Sequence, residues 1–229
     1  MILKNKVVVI TGGSKGLGRA LAEVFIKEGS KVTICALHED ELNNTASEIG
    51  ALPVVADVRS ESDMQKLADE TIKKYGGLDV WINNAGLWLN NENTENNDLA
   101  KVKEMIDVNV TGLINGSVIA LRKMKPKNSG MIVNILSGAA LASRPGIVTY
   151  SASKWAGKGF TDGLREENKD SGLLFLSVCP GGMKTEIFGN YKYSDFDRFM
   201  EPSDVARRVI ENIKKENPEP ELIIRRENA

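Results

Sequence analysis

Short apolar runs alternate with amphipathic stretches along the whole chain, and this alternation restricts the fold more than any other feature of the sequence. The apolar runs predict strands over 6–11, 31–37, 52–58, 78–83, 130–136, 173–179 and 221–226, and the intervening stretches predict helices near 15–28, 39–49, 60–76, 98–125, 148–170 and 203–216. Continuously apolar strands separated by helices indicate a parallel sheet that is covered on both faces. Repeated β-α units with short connections build a doubly wound α/β fold. No repeat or linker divides the 229 residues, so one domain spanning 1–229 is predicted.

The charge balance excludes several classes of partner. The net charge is only −1, which gives no electrostatic basis for binding nucleic acid or an anionic membrane surface. No apolar run approaches the roughly 20 residues that cross a bilayer. Cys35 and Cys179 both lie in apolar runs and are expected to be buried free thiols, which suits a cytoplasmic protein. No metal site is predicted.

The segment TGGSKGLG (11–18) joins the first predicted strand directly to the first predicted helix. Glycines at 12, 16 and 18 allow the backbone to approach a ligand and the helix to pack close to a strand. The free amides and positive dipole end of such a helix suit a pyrophosphate. A dinucleotide is therefore predicted to bind this turn, through Gly12, Ser14, Lys15, Gly16, Leu17 and Gly18.

The end of the second strand bears on which dinucleotide binds. An acidic residue there would hydrogen-bond the ribose 2′-hydroxyl of NAD, but the strand ends at Leu37 and His38 without a carboxylate. Leu37 and His38 are included among the predicted cofactor contacts. Lys15 is placed to meet a 2′-phosphate instead. The sequence therefore favours NADP(H) over NAD(H).

Tyr150 and Lys154 lie four residues apart in the run YSASK, and Ser137 precedes the tyrosine. A tyrosine phenol normally titrates near about pH 10 and is a poor base at neutral pH. Helical i,i+4 spacing would hold the lysine ammonium beside the phenol, where it would favour the phenolate. The Ser137 hydroxyl would hold a substrate oxygen against the tyrosine. The triplet predicts proton-transfer machinery.

Together these motifs resemble those of the short-chain dehydrogenase/reductase family, and the resemblance covers nearly the whole chain. TGGSKGLG is similar to the cofactor turn TGxxxGxG, and NNAG (83–86) to the family's signature after the fourth strand. DVNVTG supplies Asn109, which completes the catalytic tetrad with Ser137, Tyr150 and Lys154, and PGGMKT (180–185) is similar to the segment PGxxxT. The resemblance implies a three-layer doubly wound Rossmann fold with a parallel seven-stranded sheet in the order 3-2-1-4-5-6-7.

The family's chemistry is hydride transfer between the nicotinamide and a carbonyl or alcohol carbon. By resemblance, Tyr150 is the general acid or base, Lys154 lowers its pKa and holds the nicotinamide ribose, and Ser137 polarises the substrate oxygen. Asn109 would keep a kink in its helix and anchor a water. The further cofactor contacts that the resemblance implies are Asp57 and Val58 at adenine, Asn84, Ala85 and Gly86 after the fourth strand, and Pro180, Gly181, Met183 and Thr185 near the nicotinamide. Asp57 has an alternative role in capping a turn.

The expected activity is NADPH-dependent reduction of a ketone or aldehyde to an alcohol. Leu87, Trp88, Leu136, Ala139, Met183 and Phe188 indicate an apolar pocket, with a short aromatic lid over about 186–201. One alternative is a 3-oxoacyl-thioester reductase, for which the basic residues Arg122, Lys123, Lys125 and Lys127 would contact an acidic carrier protein. An alternative of another class is a non-catalytic dinucleotide-binding regulator.

Two surface segments bear on assembly and exposure. The resemblance implies a homodimer through the helices near 98–125 and 148–170. The ending ELIIRRENA differs from the Gly-Gly strand through which many members contact a partner subunit, so a tetramer is not favoured. The polar segment NNENTENND (90–98) predicts an exposed loop.

Overall fold

The described part of the computed structural model comprises residues 1–89, 93–189, 191 and 193–226. These residues form one seven-stranded sheet, with strands β1 (Val7–Thr11), β2 (Lys31–Ala36), β3 (Leu52–Val55), β4 (Val80–Asn83), β5 (Gly130–Ile135), β6 (Leu173–Pro180) and β7 (Glu221–Ile224). Every neighbouring pair is parallel, and the order is β3-β2-β1-β4-β5-β6-β7. The predicted fold class and strand order are confirmed.

The helices of the described residues are α1 (Gly16–Lys27), α2 (Glu39–Ile49), α3 (Glu61–Tyr75), α4 (Leu99–Ile106), α5 (Leu113–Met124), α6 (Val148–Glu167) and α7 (Pro202–Lys214). The long helix predicted over 98–125 contains a π-helical turn, Asp107–Gly112, between α4 and α5. Gly112 lies against the Val58 side chain, and a Cβ at this position would come within 2.6 Å of Val58 Cγ2. The turn therefore allows a long helix to pass close to the segment that follows β3.

Two apolar cores cover the two faces of the sheet. On one face, α1, α2 and α7 contribute Leu21, Phe25, Leu42 and Val209 to a core beneath β1 and β4. On the other face, α3, α5 and α6 pack around the fully buried Trp81. Burying a side chain of this size contributes about 2–3 kcal/mol of hydrophobic stabilisation. Strands buried on both faces explain why the apolar runs are continuous and not alternating.

The strand order opens a crevice at the carboxyl edge of the sheet. β1 pairs with β2 on one side and with β4 on the other, so the chain leaves β1 and β4 in opposite directions. Ligands of open α/β sheets bind at such a switch point. The predicted strand 52–58 ends early, at Val55, which leaves Asp57 and Val58 in the turn beyond this edge.

Several predicted surface segments are only partly described. Within the segment 90–98, Thr94–Asn96 forms an exposed 3₁₀ turn, while residues 90–92 lie outside the described residues. Residues 190 and 192 of the predicted lid and 227–229 of the ending ELIIRRENA also lie outside them. In the described part of the chain, every helix is too short or too polar to cross a membrane.

Candidate active site

A cavity of about 680 Å³ runs along the carboxyl edge of the sheet, from the glycine turn to the aromatic side chains of the predicted lid. It brings together most of the predicted site residues: Gly12, Ser14, Lys15, Gly16, Leu17, Asn84, Ala85, Gly86, Ser137, Tyr150, Lys154, Pro180, Gly181, Met183 and Thr185. The predicted residues outside its lining are Gly18, Leu37, His38, Asp57, Val58 and Asn109. The predicted apolar neighbours from Leu87 to Phe188 also line it.

The glycine turn is shaped to receive a phosphate group. Gly12 and Gly16 adopt positive φ angles of 62° and 55°, which favour glycine. A Cβ on Gly12 would lie 2.9 Å from Ala85 Cα, and one on Gly18 would overlap the Gly12 carbonyl oxygen. Helix α1 has no acidic residue in its first turn, and no side chain caps its amides. The residues present therefore fit the pyrophosphate of a dinucleotide.

Side chains from β1 and β4 hold this turn in place. Asn84 Nδ2 donates hydrogen bonds to the carbonyls of Thr11 (2.9 Å) and Gly12 (3.0 Å). The Thr11 hydroxyl accepts hydrogen bonds from the backbone amides of Asn84 and Ala85, both at 3.0 Å. Asn84 thus both lines the cavity and fixes the shape of the glycine turn.

Lys15 lies between two carboxylates. Its Nζ is 3.3 Å from Glu186 and 3.6 Å from Glu41, and the hydrogen bond with Glu186 is the main reason that its pKa is raised. The other oxygen of Glu41, Oε1, is buried and has no hydrogen-bond partner among the described residues. Leu37 is 54 % exposed, and His38 precedes α2 without a side-chain cap. Lys15 is thus the cation of the glycine turn, and two acidic groups partly neutralise it.

Asp57 and Val58 have structural partners of their own. The Asp57 carboxylate pairs with Arg59 at 2.7 Å, and this hydrogen bond lowers the pKa of Asp57. The Asp57 backbone amide donates to Asp63 Oδ2 at 2.9 Å, and Val58 is buried against Gly112. The Asp57 side chain therefore stabilises the turn after β3, which is the capping role that the sequence left open.

The proposed proton-transfer residues converge at the centre of the cavity. Tyr150 lies in the first turn of α6, Lys154 lies one turn later, and Ser137 follows β5. Lys154 Nζ lies 5.7 Å from the centroid of the Tyr150 ring and donates to the Ile135 carbonyl at 3.2 Å. The i,i+4 spacing on a helix accounts for the approach of Lys154 to Tyr150.

Burial is the main influence on the pKa values of Tyr150 and Lys154. It raises the pKa of Tyr150 to about 12, although interaction with the Ser137 hydroxyl lowers it in part. Burial also lowers the pKa of Lys154 to about 8. The sequence led us to expect an ammonium that makes the phenol acidic. Burial is instead the main influence on the phenol, and it raises the pKa of Tyr150.

Asn109 acts on this group through backbone contacts. Its side chain accepts from Leu87 N at 2.7 Å and donates to Leu87 O at 2.8 Å. It also donates to Ser153 Oγ at 3.0 Å, and Ser153 in turn donates to the Tyr150 carbonyl at 2.7 Å. Asn109, which lies in the π-helical turn, thereby connects the segment after β4 to the first turn of α6.

Six aromatic side chains pack against one another beside the cavity, and we call them the aromatic cluster: Trp88, Phe188, Tyr191, Tyr193, Phe196 and Phe199. Four of them, Trp88, Phe188, Tyr193 and Phe199, line the cavity. Neighbouring ring centroids lie between 4.9 and 6.4 Å apart. The loop that carries five of the rings is held at its base, where Lys184 N donates to Met200 O at 2.9 Å and Met200 N donates to Gly182 O at 3.0 Å. A Lys184–Glu201 ion pair at 2.7 Å lies beside this base.

Sequence reasoning missed several residues of the site. Arg144 and Phe199 line the cavity, and Glu186 reaches Lys15 from the lid. Ser153, which lies within YSASK, is also absent from the predicted site residues. Only its place one residue before the lysine, on the helix face toward Asn109, could have indicated its role. Among the described residues there is no cluster of three or more potential metal ligands.

Comparison with known proteins identifies relatives of the whole chain. Residues 6–194 match the short chain dehydrogenase family. An uncharacterized oxidoreductase from Staphylococcus aureus strain MRSA252 is 32 % identical over 212 residues, which cover 91 % of each chain. Alcohol dehydrogenase from Thermococcus sibiricus, complexed with 5-hydroxy-NADP, is 25 % identical with a TM-score of 0.89, over 97 % of each chain.

A second solved structure broadens the range of cofactors among the relatives. 3-Ketoacyl-(acyl-carrier-protein) reductase from Brucella melitensis, complexed with NADH, is 25 % identical with a TM-score of 0.90, over 97 % of each chain. One of these two structural neighbours thus binds an NADP derivative and the other binds NADH. The family match, the curated relative and the sheet order agree, and the chain belongs to the short-chain dehydrogenase/reductase family of NAD(P)-dependent oxidoreductases.

Proposed function

We propose that the protein reduces a ketone or aldehyde to an alcohol with NADPH. The observation that carries this proposal is that Tyr150, Ser137 and Lys154 line the same cavity as the glycine turn. A ligand bound along the turn would therefore extend toward the phenol. The bound cofactor would supply the hydride, and the chain's own residues would bind the substrate and manage the proton.

Tyr150 is the proposed proton donor in the reductive direction. The phenol is protonated at neutral pH, since burial raises its pKa to about 12, and it would donate its proton to the carbonyl oxygen as the hydride arrives. The Ser137 hydroxyl would donate a second hydrogen bond to the same oxygen. After proton transfer, the Lys154 ammonium would stabilise the phenolate, because it lies 5.7 Å from the ring centroid in a buried site. Asn109 and Ser153 would hold Tyr150 in place through its backbone carbonyl.

Lys15 supports a preference for NADP(H). A 2′-phosphate would accept charge-assisted hydrogen bonds from its ammonium, in competition with Glu41 and Glu186. The other cofactor contacts we propose are the cavity-lining residues of the glycine turn, of NNAG and of PGGMKT, with Thr185 at the carboxamide. Gly18, Asp57 and Val58 would then act by supporting the fold around the cofactor, whereas Leu37 and His38, which are exposed at the end of β2, remain proposed contacts.

The carrier-protein alternative receives less support from the basic residues at the end of α5. Arg122 pairs with Glu61 and Lys123 with Asp69, both at 2.8 Å, and Lys127 lies 3.7 Å from Asp79. These residues also precede β5, at the amino edge of the sheet, whereas the cavity lies at the carboxyl edge. If the carrier protein bound at the amino edge, its thioester arm would have to extend along the full length of a strand to reach Tyr150.

Assembly and location remain part of the proposal. Leu99 on α4 and Val148 and Trp155 on α6 are exposed at 76, 45 and 51 %, which supports a homodimer through these helices. Cys35 and Cys179 are free and buried, as expected for a protein of the reducing cytoplasm. We propose that residues 1–229 act as one domain, with the lid over 186–201 on the substrate side.

A Tyr150→Phe variant tests the function. Oxidation of NADPH, followed by absorbance, should occur with wild type across a panel of ketones, aldehydes and diketones. It should fall by about 10²–10⁴-fold in the variant. NADPH affinity, measured by calorimetry, should stay within about twofold because the variant loses only a hydroxyl. Retention of most of the activity by Tyr150→Phe would contradict the assigned acid, and NADPH binding without turnover of any carbonyl would favour the regulator.

A further inference from the structure

The part of the cavity beyond Tyr150 is almost completely walled by apolar groups. Ala139 and Ile147 pack with Met105 around Tyr150, and Trp88 packs against them. The aromatic cluster closes the other side, with Trp88 and Phe188 in an edge-to-face contact at 5.1 Å. A wall of this kind removes an aromatic or branched apolar group from water at about 25 cal/mol per Å² of buried apolar surface. Its polar groups include the Tyr193 hydroxyl and the Trp88 ring nitrogen, so the wall favours a substrate whose body is mainly apolar.

Three arginines, Arg144, Arg225 and Arg226, also line the cavity, and none of the described carboxylates lies within 4 Å of the guanidinium of Arg144. Arg226 is neutralised by Asp195 at 2.7 Å and lies over the Phe199 ring. Asp195 is therefore paired with Arg226. The hydrogen bond with Arg226 is the main reason that the pKa of Asp195 is lowered, and Arg144 makes a smaller contribution.

Arg144 is held in position by the aromatic cluster. Its guanidinium lies over the Tyr193 ring, 5.6 Å from the centroid, and also interacts with the Tyr193 hydroxyl. These contacts orient the planar cation and leave part of its five N–H donors available to a ligand. Arg144 follows Ser137 by seven residues and precedes Tyr150 by six, so it belongs to the segment that joins the two proposed catalytic hydroxyls. Arg144 and Tyr150 line the same cavity, so a single bound molecule has access to both side chains.

We propose that the substrate is an oxo acid, in which an aromatic or branched apolar body carries both the carbonyl that is reduced and a carboxylate that Arg144 binds. This inference rests on the proposed function. The carboxylate would receive two parallel hydrogen bonds from the guanidinium, for which arginine is better suited than lysine. The aromatic cluster would cover the body of the substrate between the two polar ends.

A cationic substrate is the other class that aromatic walls can accept. The same walls already carry the Arg144 guanidinium, which has no carboxylate partner among the described residues, so a further cation would meet repulsion. A neutral substrate would leave Arg144 without a counter-ion in the cavity. The anionic class is therefore the one that the charges favour.

The test compares matched substrates with wild type and Arg144 variants. The probes are 3- and 4-acetylbenzoate and their methyl esters, with NADPH oxidation as the readout. Wild type should use at least one acetylbenzoate with a kcat/KM about tenfold or more above that of its ester. Arg144→Gln should lose about tenfold or more on the acetylbenzoate and less than about twofold on the ester. The kcat/KM of Arg144→Lys on the acetylbenzoate should lie between those of wild type and Arg144→Gln, because lysine keeps the charge but not the two parallel hydrogen bonds.

Arg198→Gln is the matched control. Arg198 lies in the same loop as Tyr193, is exposed and does not line the cavity, so its replacement should leave both substrates unaffected. Equal kcat/KM values for acid and ester in wild type, or an equal loss on both in Arg144→Gln, would overturn the inference.

A binding measurement separates the inference from the proposed function. If no carbonyl is reduced, the proposed function fails, and calorimetric titration of acetylbenzoate into the protein with NADP⁺ still tests Arg144. Binding that is at least about tenfold weaker in Arg144→Gln than in wild type and Arg198→Gln would support the site. Absence of binding to wild type, or unchanged binding in Arg144→Gln, would refute it.

Discussion

Replacing Lys154 by Met should make the cofactor-free protein more stable at neutral pH, although it removes a side chain from the proposed proton-transfer site. Lys154 is buried, and its pKa is lowered by that burial from 10.5 to about 8. At neutral pH the ammonium is therefore still charged, and the folded chain bears the cost of keeping a charge away from water. A methionine of similar length removes this cost.

The expected gain follows from the two pKa values. Since a shift of one unit corresponds to about 1.4 kcal/mol, burial of the charged form costs about 3 kcal/mol at pH 7. The variant also loses the hydrogen bond to the Ile135 carbonyl, worth about 1 kcal/mol, so the net gain should be about 2 kcal/mol. The unfolded chain holds the lysine proton more tightly than the folded chain does. The cost is therefore complete below pH 8 and disappears as the pH rises toward 10.5.

Urea denaturation of both proteins at pH 7 and pH 9 measures this effect. The stability difference should shrink by about 1 kcal/mol between the two values, and comparing the two proteins cancels the contributions of the buried tyrosine and cysteines. Lys158→Met is the control on the same helix. Lys158 is paired with Asp162 and Glu221, which raise its pKa, so its loss should destabilise the protein equally at both pH values. A Lys154→Met variant that is less stable than wild type would refute the reasoning, as would a stability difference that is the same at pH 7 and pH 9.

Three further predictions concern the cofactor turn and the core. Lys15→Ala should weaken NADPH binding by about tenfold or more and NADH binding by less than about twofold, measured by calorimetry; equal losses would refute its contact with a 2′-phosphate. Glu41→Gln should tighten NADPH binding by up to about fivefold, because it removes a competitor for Lys15, and weaker NADPH binding would contradict this role. Gly116→Ala should lower the free energy of unfolding by about 1–3 kcal/mol, because its Cβ would overlap Asn83 Oδ1 in the buried network with Trp81, Ser117 and Asn134. Urea denaturation that shows no loss would contradict the close packing at Gly116.

The fold was predictable because its signals are local. The continuous apolar runs, the glycine turn and the YSASK spacing each determine structure within one or two elements, and their boundaries agree with the structure to within a few residues. The exception is β3, which ends at Val55 because Asp57 forms a turn with Arg59 and Asp63. An aspartate after an apolar run does not itself show whether the strand continues.

The side-chain contacts around the cavity were less predictable, because they join segments that are distant in the sequence. The contacts of Lys15 with Glu186 and of Arg144 with Tyr193 both depend on where the loop over 186–201 lies relative to the sheet edge. The raised pKa of Tyr150 likewise depends on how completely the neighbouring segments bury it, which spacing along one helix does not reveal. The position of Lys154 beside Tyr150 was predicted, but the balance between charge and burial required the packed structure.

The loop over 186–201 is held at its base by backbone hydrogen bonds, and this makes it a suitable target for protein engineering. The loop leaves and returns to the body of the protein through backbone hydrogen bonds between Gly182, Lys184 and Met200, whereas Tyr150 and Lys154 are carried by α6. Its length and composition can therefore be altered between these fixed ends without moving the proposed proton-transfer residues. Exchange of the loop for that of a relative provides a route to new substrate ranges on an unchanged chemical framework.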